Sequence, residues 1–133
     1  MHINAEELTS NEIRTAQICV VGSGPAGITI ARSLAKAGRS VFLMEAGGLE
    51  WSDESQNVYS GEVIGDPYFD LDTARLRYLG GTSNHWAGWC RALDRDDFTQ
   101  KAAFPDAKWP IGRNDLEPYL KEAENILELA PAP

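Results

Sequence analysis

The segment Gly22-Ser23-Gly24-Pro25-Ala26-Gly27 constrains this chain more than any other, because three glycines at G-x-G-x-x-G spacing restrict both the local fold and the ligand that can meet it. Gly22 permits a tight turn, Gly24 lets a pyrophosphate approach the backbone, and Gly27 lets a helix close on a strand. The negative charge of such a ligand is favoured at a helix N-terminus, where free amides and the macrodipole point at it. A glycine pattern alone is weak evidence, so its flanks decide its meaning.

Those flanks have the required periods. Gln17 to Val21 is a short apolar run that stops at Gly22, as a strand buried on both faces does. From Pro25 the period changes: Ala26, Ile30, Leu34 and Ala37 fall on one helical face, with Pro25 at the first helical position and Gly38 as the cap after the last. Ala31, one turn past Gly27, keeps that helix small where it meets the strand. Ser40 to Met44 is a second buried run that ends at Glu45, 18 residues after Gly27 and near the ~20 expected of a ribose-binding acid. Strand, helix and strand over residues 16–45 predict a Rossmann-like βαβ unit with a parallel sheet, hence an α/β fold. A carboxylate at Glu45 accepts from a ribose 2′-hydroxyl and repels a 2′-phosphate, which favours FAD or NAD over NADP. The unit does not separate those two, because both share the adenosine diphosphate half.

The remainder is less regular. Residues 1–15 read as a polar leader, and residues 46–78 lose periodicity, which predicts a functional loop or disorder. A second glycine turn, Leu79 to Ser83, runs into the aromatic-rich stretch Asn84 to Cys90. A helix is expected from Asp115 to Leu129, with Asn114 as N-cap, Glu117 three residues on, and an apolar stripe of Leu116, Leu120, Ala123 and Leu127. Pro118 is a mild objection to it, and Pro131-Ala132-Pro133 supplies its stop.

Composition narrows the partners. With 133 residues, 20 acidic against 12 basic side chains and a formal charge of −8, the surface repels polyanions, so nucleic acid is not an expected partner. No apolar run approaches the roughly 18 residues a membrane span needs. Two cysteines and two histidines give neither a disulfide framework nor a metal-ligand cluster, and a reducing cytoplasm is the expected location.

Together, Val20-Val21-Gly22-Ser23-Gly24-Pro25-Ala26-Gly27, Leu43-Met44-Glu45-Ala46-Gly47 and Arg77-Tyr78-Leu79-Gly80-Gly81-Thr82-Ser83 resemble the N-terminal part of the glucose-methanol-choline (GMC) oxidoreductases. Trp109 to Tyr119 is similar to a segment of the sugar-oxidising, pyranose oxidase-like branch. The resemblance implies FAD rather than NAD. It implies that Gly22, Ser23, Gly24, Pro25, Ala26, Gly27, Glu45 and Ala46 hold the ADP half, with the isoalloxazine near Gly81, Thr82, Ser83, Asn84, His85 and Ala87. It also implies hydride transfer from an alcohol, expected to be a sugar or polyol, to flavin N5. The proton-accepting histidine of the family has no counterpart here, so no catalytic residue is assigned and the isolated chain is expected to be incomplete and inactive. The electron acceptor is left open. His85 lies four residues after the second glycine, where choline oxidase-like and pyranose oxidase-like relatives carry the histidine joined to the flavin. Trp86 departs from the family, in which many members have Asn.

Several residues have plainer roles. Trp86, Trp89 and Trp109 suit core or interface packing, Cys19 suits a small buried hydrophobe, and Cys90 is a free thiol with no base nearby. Asp94, Asp96 and Asp97 suit a solvated turn or helix start better than paired catalytic carboxylates. Two other readings fit the same nucleotide cradle: a non-catalytic nucleotide-binding module and an NAD-dependent dehydrogenase fragment.

Overall fold

A parallel pair of strands joined through one helix organises the first part of the chain in a computed structural model, which describes residues 1–103, 106 and 108–129. Strand β1 (Ile18–Val21) pairs with β2 (Val41–Met44) in the register Ile18 to Val41 through Val21 to Met44, and α1 (Pro25–Lys36) makes the crossover. This is the α/β, Rossmann-like βαβ unit expected from the sequence. Both strands begin one residue later than their apolar runs. Gln17 and Ser40 clamp that end instead: the Gln17 amide donates to Ser40 Oγ and the Ser40 amide to Gln17 Oε1, each at 3.0 Å.

Helix α1 ends as its sequence dictates. Gly38 takes φ +76°, its amide reaches Ala35 O at 3.0 Å, and the Arg39 amide reaches Leu34 O at 3.0 Å, the paired bonds of a Schellman cap. The face it buries is not the one expected. Ala31 is buried and Gly27 and Leu34 are half-buried, whereas Ala26 and Ala37 are exposed and Ile30 is 50% exposed. Spacings of four and seven fit Gly27, Ala31 and Leu34 as well as the larger set, and the small side chains win because they let the helix approach the strand closely.

The strands are likewise not buried on both faces. Val21 is 82% exposed and Met44 56%, and Cys19, expected inside, is exposed with its Sγ 3.4 Å from Met44 Sδ. A two-stranded sheet with one helix has cover for one face only, and the other stays bare.

Residues 46–78 hold more order than their composition suggests. Helix α2 (Asp53–Gln56) and α3 (Leu71–Ala74) are single turns, and Ser52 starts α2 by accepting from the Ser55 amide at 3.2 Å. Gln56 is buried at 7% exposure and clasps the far side of this segment. Its Nε2 donates to Asp72 O and Arg75 O, and its Oε1 accepts from the Arg77 amide at 3.2 Å. The chain divides into two units, Met1–Ala87 and Gly88–Pro133, with the boundary inside the aromatic-rich stretch Asn84 to Cys90.

In the second unit the Asp94 amide donates to Asp97 Oδ2 at 2.7 Å at the start of a 3-10 turn over Arg95–Phe98, and Arg91 pairs with Asp94. These acids therefore serve a turn, as expected. Phe98 is buried with the Trp109 ring beside it, centroids 6.5 Å apart. Helix α4 spans Arg113–Ile126, earlier at both ends than expected. Its N-cap is Gly112, because the Asp115 carboxylate reaches back to the Gly112 amide at 2.7 Å. Pro118 thus falls inside the helix and removes the donor that would meet the Asn114 carbonyl. Leu116 and Leu120 are half-buried, but Ala123 is exposed and Leu127 is 43% exposed, so only the first half of the stripe packs. The expected stop at Pro131-Ala132-Pro133 lies outside the described residues.

Candidate cofactor site

The first glycine loop has the two properties a pyrophosphate cradle needs. A side chain at Gly24 would enter open space, with no atom within 4 Å of its Cβ, whereas a Cβ at Gly27 would lie 1.9 Å from Gly22 O. Gly24 is therefore open toward a ligand and Gly27 is closed against the turn. Gly22 takes φ +96° and continues the sheet, its amide donating to Met44 O at 2.8 Å. Pro25 opens α1, and the first bond of that turn runs from the Ile28 amide to Gly24 O at 2.9 Å. The amides of Ala26 and Gly27 hence have no intrahelical acceptor and face the cradle side of the helix end.

Ser23 is fully buried and joins this loop to two others. Its amide and hydroxyl both donate to Glu45 Oε2, at 2.8 and 2.6 Å, and its carbonyl accepts from the Gly80 amide at 3.0 Å. The other oxygen, Glu45 Oε1, accepts from the amides of Ala46 at 2.9 Å and Gly47 at 3.1 Å. Burial raises the affinity of this carboxylate for a proton, but the bonds from the Ser23 hydroxyl and amide and from Gly47 and Ala46 outweigh it, holding the group below its ordinary value. With four donors, Glu45 has its acceptor positions filled within the protein.

The second glycine motif docks on the first. A Cβ at Gly81 would sit 3.7 Å from Gly24 Cα, the Leu79 amide donates to Gly48 O at 3.0 Å, and Gly47 has no room for a Cβ against Arg77 O. Gly80 and Gly81 take φ +89° and +55°. Their turn is fastened by the side chains the sequence singled out: Ser83 Oγ donates to Gly80 O at 2.6 Å, Asn84 Nδ2 to Leu79 O and Gly81 O, and Thr82 Oγ1 accepts from the Leu76 amide. Thr82 Oγ1, Ser83 Oγ and Asn84 Nδ2 are thus engaged by the backbone of the loop and its approach. His85 closes the 3-10 turn over Gly81–His85 and is exposed, and Ala87, the last residue of this unit, is exposed too. Trp86 and Trp89 are 50% and 91% exposed, so neither packs in a core.

A contribution the sequence did not suggest comes from Ser55. Its hydroxyl donates to Arg77 O at 2.8 Å and accepts from Arg77 Nη1 at 3.0 Å, bracing the approach to Gly80. No motif marks Ser55 or Gln56; the only signal is a run of small polar residues after Ser52 that suits a helix start. Among the described residues no group of three or more His, Cys, Asp or Glu could hold a metal ion, and no helix is long and apolar enough to cross a membrane.

Two glycine loops in contact, one at a helix N-terminus, are an arrangement that suits a dinucleotide. A family model for FAD-dependent oxidoreductases matches residues 17–131. The chain belongs to the FAD-dependent oxidoreductase family. Among curated proteins it is similar to an uncharacterized GMC-type oxidoreductase of Mycobacterium tuberculosis, 31% identical over 145 residues that cover 93% of this chain and 21% of that protein. It is also similar to a 2-methyl-1,2-propanediol dehydrogenase of Mycolicibacterium austroafricanum, 30% identical over 130 residues, 82% of this chain and 24% of that one. The chain thus spans between a fifth and a quarter of the length of these relatives. The residues fit FAD: the space over Gly24 admits a diphosphate, and the free amides of α1 and its dipole suit its charge. The family selects FAD where the fingerprint alone left FAD and NAD open.

Proposed function

We propose that this chain is the FAD-binding part of a GMC-type alcohol oxidoreductase, with a sugar, polyol or related alcohol as substrate and no part for nucleic acid or a membrane surface. The observation that carries the reading is the contact of the second glycine loop with the first, through the Gly80 amide on Ser23 O and Gly81 against Gly24. That contact brings a turn of the kind lying against the flavin in GMC oxidoreductases beside a diphosphate cradle. The similarity to a propanediol dehydrogenase supports an alcohol as the donor, and the pyranose oxidase-like segment Trp109 to Tyr119 supports a sugar.

Bound FAD supplies a two-electron acceptor for hydride from a CH–OH carbon. The residues of this chain bind and orient it. The amides of Ala26 and Gly27 meet the diphosphate, Gly24 leaves room for it, and Glu45 takes a ribose hydroxyl once one of its present donors is exchanged. Gly81 to Ala87 lie along the ring, and His85 is the residue for covalent attachment. None of them is assigned the proton transfer. The electron acceptor is a separate molecule, and the expected location is the cytoplasm.

The test is the visible spectrum of the full-length protein, followed by anaerobic titration with a panel of sugars, polyols and short diols. Flavin bands that bleach with an alcohol support the reading. A colourless protein that binds neither FAD nor ADP, or a flavin that no alcohol reduces, overturns it.

A further inference from the structure

A cavity of about 310 Å³ lies beside the cradle, and residues 2–6 form part of its wall. Its opposite side is made by Ser23, Leu43, Glu45 and Leu79. The volume is at the lower end of small-molecule sites. The segment from His2 to Glu6 reads in the sequence as a polar leader, yet it leads into a hydrogen-bonded turn. Asn4 Oδ1 accepts from the Glu6 amide at 3.2 Å, and the Glu7 and Leu8 amides donate to Asn4 O and Ala5 O at 3.1 and 3.3 Å, which gives one 3-10 turn over Ala5–Glu7. Ile3 and Leu8 are half-buried while their neighbours are exposed, so this turn is seated by two apolar side chains.

We propose that residues 2–6 are the outer wall of the site for the adenosine half of FAD, a proposal that rests on the FAD reading above. Three features of the lining choose the ligand. Leu43, Leu49 and Leu79 offer aliphatic surface for a flat purine, and Glu45, at the end of β2, stands where a ribose hydroxyl seeks an acceptor. Among the described residues no lysine or arginine lines the cavity, whereas Glu6 and Glu45 do beside the lone His2, so the cavity suits an uncharged nucleoside and rejects a phosphate on the ribose 2′-oxygen. The diphosphate stays outside, at the N-terminus of α1. Ile3 closes the purine slot from the solvent side, and Asn4 holds the turn that carries it.

The experiment uses the full-length protein freed of flavin and measures the affinity of ADP and FAD by calorimetry. The variants are a deletion of residues 2–6, Ile3→Asp and, as reference, Gly24→Val. ADP affinity is expected to fall about ten-fold or more in the deletion and in Ile3→Asp, with unchanged circular dichroism. In the parental protein ADP is expected to slow amide hydrogen exchange in residues 2–8, and ADP bearing a 2′-phosphate to do neither. Parental ADP affinity in the deletion, with binding lost in Gly24→Val, overturns the wall and leaves the FAD reading standing. Parental affinity in Gly24→Val as well shows that the FAD reading itself has failed. Should the deletion fail to fold, hydrogen exchange decides: no ADP-dependent protection of residues 2–8 overturns the proposal.

Discussion

Ser23 gives both its amide and its hydroxyl to a single oxygen of Glu45, at 2.8 and 2.6 Å. This pairing turns the middle residue of the glycine fingerprint into the hinge pin between the cradle and the end of β2. Of the four donors on Glu45, the Ser23 hydroxyl alone sits on a freely rotating bond; the other three are backbone amides. It is therefore the donor expected to yield when a ribose hydroxyl arrives. Ser23→Ala is expected to lower the stability of the flavin-free protein by about 1.5–3 kcal/mol, the worth of a hydrogen bond to a charged group. FAD affinity should be undiminished, because an acceptor position on Glu45 is already vacant. Urea midpoints and FAD titrations check this. Weakened FAD binding at parental stability would mean that the hydroxyl meets the cofactor instead.

Gly24 and Gly27 carry the same letter in the motif but are constrained by different things, and substitution separates them. Gly24 has φ −70° and an open Cβ position, so Gly24→Val is expected to leave stability within about 0.5 kcal/mol and to abolish FAD binding by filling the diphosphate's place. Gly27→Ala puts a methyl 1.9 Å from Gly22 O, so the turn itself must move, at a cost of about 1–3 kcal/mol before any ligand is present. Calorimetric scans of the two flavin-free variants distinguish a ligand constraint from a packing constraint.

The lowered proton affinity of Glu45 makes stability depend on pH in a definite sense. In the folded chain the carboxylate stays ionised to lower pH than in the unfolded chain. Its contribution is therefore complete above the unfolded value of about 4.3 and is lost as the pH falls through the lower, folded value. Parental urea midpoints should drop as the pH falls below about 4.3 more steeply than those of Glu45→Gln, which has no charge to lose there. Parallel slopes would show that other carboxylates govern the acid limb.

The parts of the fold that short-range chemistry dictates were legible in the sequence. Pro25 and Gly38 bracket α1, and Val20 and Val21 before Gly22 announce β1, because cap, turn and period are written within a few residues. Which face of α1 is buried was not legible, since Ala26, Ile30 and Leu34 share a helical period with Gly27, Ala31 and Leu34, and only the partner strand chooses between them. Burial of Cys19 and Val21 failed for a related reason: apolar composition states what a strand prefers, while exposure depends on how many layers cover it. In the candidate site, spacing placed the glycines at the turn from strand to helix and Glu45 at the end of β2. The clasps formed by Gln56, Ser55 and Ser23 were not legible, because a hydrogen bond across about twenty residues leaves no periodic trace.

His85 offers the last test. Its backbone is held from several sides: Ser83, Asn84 and Thr82 each fasten the turn Gly81–His85, and Gly80 ties that turn to the diphosphate loop through Ser23. The imidazole itself is exposed, and among the described residues it forms no hydrogen bond, so both ring nitrogens are available. A fixed backbone with an uncommitted ring suits a residue whose partner arrives with the cofactor, and attachment requires a nucleophilic nitrogen held against the dimethylbenzene edge. Acid precipitation of the full-length protein is expected to leave the yellow colour in the pellet. His85→Ala should release the colour to the supernatant while FAD still binds, because the ADP half keeps its cradle at Gly22 to Gly27 and Glu45. Flavin found wholly in the acid supernatant of the parental protein would reduce His85 to a non-covalent neighbour of the ring, and the bare imidazole would then need another explanation.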